Sequence, residues 1–173
     1  MSILGKLFGS KPSNTDVRAL LHKLDAQHRE LGIATFTLVQ MRAFGPSELL
    51  SYAKAVAQLL QIQATPAGSK PLVLNGKANY GAIGYIYGAA DAALQIIGQN
   101  MSDESVGVPF ACEVYDVFSP EHMEACMKVI FESAGKDNAL MQGMTTGGQQ
   151  FLEYAKSGGN GRMPVGLINL LLG

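Results

Sequence analysis

Charge is scarce in this chain. Asp, Glu, Lys and Arg make up 16% of its 173 residues, against about 25% in ordinary soluble domains. No run of five or more basic residues occurs, and the net charge is −1, which leaves no electrostatic footprint for nucleic acid or anionic lipid. Two cysteines, Cys112 and Cys126, are too few for a disulfide framework, and no C-x-x-C is present. They read as reduced thiols in a cytoplasmic protein. A secretory apolar run is missing at the start, because Lys6 interrupts MSILGKLFGSK. Ile3, Leu4, Leu7 and Phe8 leave room for one amphipathic turn against a membrane or partner, but a frayed or core-docked segment over residues 1–12 is the simpler reading.

What is plentiful is apolar surface: hydrophobic residues make up 47% of the chain. The length suits one domain with a real core. With so few charges to cover it, that domain is expected to bury a face against a partner or a second copy. Helical periodicity dominates, and the expectation is an all-α, single-domain compact bundle over residues 13–173, of about six to eight helices.

Residues 14 to 31 place Val17, Leu21, Leu24, His28 and Leu31 on one stripe, with Ser13 or Asn14 as cap and Gly32 as stop. His22 and His28 fall on different faces of that helix. Residues 33 to 44 fit a buried helix better than a strand. After Gly45-Pro46, Leu49, Ala53, Val56, Leu60 and Gln63 repeat the stripe. Thr65 to Lys77 reads as a loop, although Leu72-Val73-Leu74 before Asn75-Gly76 has the makings of a hairpin. Pro109 to Phe118 reads as a short helix. Ser119-Pro120-Glu121 starts another that turns Met123, Cys126, Met127, Ile130 and Phe131 inward and stops at Gly135. Residues 137 to 157 continue as a helix interrupted around Thr145-Thr146-Gly147-Gly148. SGGNG (157–161) is a linker, and a last apolar helix follows Pro164.

Residues 78 to 102 carry a single charge, Asp91, among glycines, alanines and tyrosines. A surface helix needs a polar face, so a helix over about 79–99 is either buried on most sides or lies in a membrane. Gly84-x-x-x-Gly88 matches the close-packing signature of membrane helices. Asp91, Gln95, Gln99, Asn79 and three tyrosines oppose a span, and a central aspartate costs about 2.5–3.5 kcal/mol on insertion. A central buried helix is the preferred reading. Each interior glycine costs about 1 kcal/mol against alanine, and close helix–helix approach is the natural compensation.

Asp91 then needs a partner or a use. It is either a ligand- or proton-handling carboxylate, with Tyr87 one turn back over a groove floored by Gly84 and Gly88, or a structural acid bonded to a helix N-terminus or an arginine such as Arg42. The structural reading is the simpler. Gly84-Tyr85-Ile86-Tyr87-Gly88-Ala89-Ala90-Asp91-Ala92 resembles the G-Y-x-x-G-x-x-D-A string of small helical immunity proteins of the Tai type, which neutralise toxins delivered between bacteria. The resemblance covers residues 84–92, without the export signal and paired cysteines of those proteins. It implies a helical protein-binding protein.

Cys112, Asp116, His122 and Cys126 form C-x3-D-x5-H-x3-C. The i, i+4 pairs share helix faces, and the turn at Ser119-Pro120 would have to fold them together into a tetrahedral zinc site. Glu113, Glu121 and Glu124 are alternative oxygen donors. Core cysteines with a surface histidine explain the same residues, so no cofactor is expected beyond this zinc alternative. A His122–Cys126 nucleophile lacks an orienting acid and an oxyanion hole. Gly147-Gly148-Gln149 lacks the basic context of release factors, and Gly158 to Gly161 is no phosphate loop. The eight methionines serve core filling more often than a peptide groove.

The sequence therefore points first to a non-enzymatic helical interaction protein, an adaptor, immunity-like or regulatory subunit that self-associates. A small-molecule or metal-binding domain around Asp91 and Tyr87, or around Cys112, His122 and Cys126, comes second. Membrane association comes third.

Overall fold

The computed structural model describes residues 46–68, 70–157 and 163–173. The expectations for residues 1–45, including His22, His28 and Arg42, and for the linker at 158–161 lie outside the described residues. Within them the chain is mostly helical: α1 (Pro46–Ala64), β1 (Val73–Leu74), β2 (Lys77–Ala78), α2 (Tyr80–Ile96), α3 (Glu104–Phe118), α4 (Met123–Ser133), α5 (Asn138–Lys156) and α6 (Gly166–Leu172). Short 3-10 turns at Thr65–Ala67 and Pro120–His122 follow α1 and precede α4.

The stripe of α1 is buried as its spacing predicts, from Leu49 through Ala53, Val56 and Leu60 to Gln63. The segment read as a loop contains a hairpin instead. Val73 pairs with Ala78 and Leu74 with Lys77. Asn75 and Gly76 take φ of 50° and 75°, the left-handed pair that a two-residue type I′ turn requires. Turn chemistry suffices here without a β-branched run, and the Asn79 N–H extends the pairing to the Leu72 carbonyl at 2.8 Å.

Only Tyr80, Tyr87, Asp91 and Gln95 of α2 escape full burial. Asn79 caps it by accepting from the Ala82 N–H at 3.0 Å, while its amide donates to the Leu170 carbonyl at 2.7 Å and fastens the end of α6. Two buried tyrosines tie neighbouring helices to its backbone. The Tyr115 hydroxyl donates to the Ile83 carbonyl at 2.7 Å. The Tyr52 hydroxyl donates to the Ala93 carbonyl at 3.1 Å, one of the last four carbonyls of the helix, which find no partner inside it.

Helix α5 is continuous through 145–148, where a break was expected. Its glycines are packing positions. A methyl placed on Gly143 would meet the Gly81 carbonyl, and one on Gly147 the Tyr85 carbonyl. From the other side, Gly84 abuts Leu140 and Gly88 abuts the Met144 carbonyl. Contacts rise in step along both helices, so α2 and α5 run parallel, backbone against backbone.

Two further expectations need correcting. Helix α3 begins at Glu104, not at Pro109, with Asp103 as its cap (Ser105 N–H at 3.1 Å). Pro109 is tolerated one turn in because Ser105, whose carbonyl it deprives of a donor, is exposed to water. Phe131, expected inward, is 67% exposed. The covered stripe of α4 is narrow, centred on Cys126, Met127 and Ile130, and Phe131 lies about 100° round from Ile130.

Candidate functional site

The α2–α5 seam decides which of the proposed ligand residues remain available. Gly84 and Gly88 form a groove, but the backbone of α5 at Leu140 and Met144 fills it. These two glycines therefore floor a helix contact, and no ligand can share the space. Asp91 lies one turn beyond Gly88 on the same stripe and is half-buried. Its Oδ2 accepts from the Gln95 Nε2 at 2.7 Å. Burial raises its carboxyl pKa above the ordinary range, and the Gln95 bond opposes that rise. Tyr87, also half-buried, has its phenol pKa raised by burial and by the Asp91 charge, which places the two groups within electrostatic reach. A carboxylate and a phenol one turn apart can accept from, or donate to, a polar group laid along this part of α2.

The second constellation is split between elements. Cys112 is half-buried on α3 and Asp116 is exposed near its end. His122 belongs to the 3-10 turn and Cys126 is buried on α4. The His122 Nδ1 is spent locally, 3.1 Å from the Ser119 Oγ and 3.1 Å from the Glu121 carboxylate. The Ser119 hydroxyl is itself 3.1 Å from that carboxylate. Serine, glutamate and histidine thus close the turn ahead of α4, with both contacts on one ring nitrogen. A triad uses the two nitrogens separately. Among the described residues no group of three or more His, Cys, Asp or Glu side chains is placed to hold a metal ion. Burial, reinforced by the charge of Glu121, pushes the Cys126 thiol pKa up to about 12. A nucleophilic cysteine needs the opposite shift.

Three features escaped the sequence reading. Gly143-x-x-x-Gly147 repeats the spacing of Gly84-x-x-x-Gly88, and that repetition was the available signal for the seam. Gln150 joins three helices: its Oε1 accepts from the Tyr85 hydroxyl at 2.8 Å and from the Gly166 N–H at 3.2 Å. An open cleft of about 450 Å3 lies between Gln150, Glu153 and Tyr154 of α5 and the run Met163–Val165.

Among the described residues no helix is long and apolar enough to cross a membrane. The fold and this geometry stand without a relative to read them against: no family model, curated protein or solved structure matches the chain.

Proposed function

We propose that this chain is a non-enzymatic helical interaction protein, a single helical bundle that works by associating with a second copy or a protein partner. The observation that carries the reading is Phe131, a large aromatic side chain left 67% exposed on a regular helix. Met141 is exposed nearby, its Sδ 3.1 Å from the Gly135 N–H just past the end of α4. Large apolar side chains grouped on a surface are a common mark of association sites. Low overall charge supports the same reading. Sedimentation equilibrium of the purified chain tests it: the mass should rise above 18.4 kDa with concentration, and a chain that stays at that mass throughout ends the self-association reading.

A second reading is favoured by one observation. Asp91 is desolvated, and among the described residues its hydrogen-bond partner is Gln95. A ligand donor at Asp91 and Tyr87 would relieve that desolvation. Asp91→Asn that leaves melting unchanged but abolishes binding of a captured ligand supports it; an Asp91→Asn protein that no longer folds argues for a structural acid.

A further inference from the structure

We propose that the outward face of α4 is a self-pairing surface, on which a second copy of this chain lays its own α4 antiparallel across Phe131. The proposal rests on the self-association reading and adds to it the surface, the partner and the direction.

The charges argue for it. Glu124, Lys128 and Glu132 stand at four-residue intervals along the exposed side of α4, and Lys136 follows just past its end. Their signs alternate. Read backwards, the series becomes its own complement. With two copies antiparallel and centred at the level of Ile130, Glu124 faces the partner's Lys136 and Lys128 faces the partner's Glu132. A parallel pairing in register would set each charge against its like, so the pattern selects direction. A two-fold contact requires this kind of self-complementarity.

Phe131 lies beside the two-fold axis of that arrangement. Its ring would rest on the aliphatic stem of the partner's Lys128, a contact that buries apolar area and places an ammonium near an aromatic face. Within one chain Lys128 reaches Glu132 only loosely, at 4.0 Å, with both side chains well exposed. Little is given up in moving either toward a partner.

Magnitudes set the strength. A phenylalanine buries about 150–250 Å2, so two of them with Met141 at the margins fall short of the roughly 1,200–2,000 Å2 of a stable interface. The dimer is therefore weak and concentration-dependent, and its charge pairs make it weaker still in high salt.

Sedimentation equilibrium of the full chain over a concentration series, with thermal melts alongside, tests the surface. Phe131→Ser and Lys136→Glu should each weaken self-association by at least about tenfold. Lys128→Glu should do the same, and adding Glu132→Lys should restore it to within about threefold, because the swapped charges again oppose each other. The Lys136 Nζ also donates to the Glu132 carbonyl at 3.0 Å, so the melts show whether Lys136→Glu frays the helix end, and Phe131→Ser reads the surface without changing any charge. Variants that dimerise as the wild type does overturn this surface and leave the self-association reading standing. A wild type that remains monomeric at every concentration overturns both.

Discussion

Asp91 and Cys126 show how burial governs single groups in this molecule. Burial holds the Asp91 carboxyl pKa above its ordinary value, so the fold prefers the neutral acid. Its contribution to stability is complete below the unfolded carboxylate pKa and is lost as pH rises through the raised folded value. Asp91→Asn fixes a neutral, isosteric group that Gln95 can still reach. It is expected to melt no lower than the wild type at about pH 7, with the two curves converging toward about pH 4. A melting point well below the wild type at neutral pH would show that the charge itself is needed. Cys126 behaves in parallel: fully buried and with its pKa raised to about 12, it should resist an aromatic disulfide reagent in the native protein and react only on unfolding, well after half-buried Cys112. Tyr52→Phe removes the donor to the Ala93 carbonyl and should destabilise by about 1–3 kcal/mol in a denaturant titration, the usual penalty of an unpaired buried group. The lone charge at Asp91 was legible from composition. The direction of Phe131 was not, because one side chain at the edge of a helical stripe turns in or out according to how wide a neighbour covers it.

At the level of elements, the seam between α2 and α5 organises the described residues. Gly84-x-x-x-Gly88 announced close approach, and the sequence supplied the partner in the same spacing at Gly143 and Gly147. It went unread because consecutive glycines and threonines look like a helix break, and local propensity cannot report what will press against them. Tertiary packing overrode propensity at Gly147-Gly148, just as turn chemistry at Asn75-Gly76 overrode the weak strand preference around it. Gly147→Ala decides between local and tertiary effects. Propensity alone would favour alanine by about 1 kcal/mol, whereas a methyl against the Tyr85 carbonyl forces the helices apart and should give a net loss of about 1–3 kcal/mol in denaturant unfolding. Thr145→Ala, on the exposed side of the same helix, should stay within about 0.5 kcal/mol of the wild type.

For the whole molecule, the helical class was readable from periodicity, and the low charge raised the expectation of a covered face. Neither indicated which face is left open, since that depends on how α4 rolls against its neighbours. The parallel run of α2 and α5 bears on how the chain assembles. Two helices lying side by side in the same direction cannot be joined by a tight turn, and here α3 and α4 make the return journey between them. The most intimate backbone contact in the described residues is therefore also one of the most distant in sequence. Closing it must wait for the entropy of a long loop to be overcome. During synthesis the glycine face of α2 emerges long before α5 exists to cover it. A nascent chain thus carries this strip uncovered while residues 97–137 are added, and close packing against it should begin only with the arrival of α5.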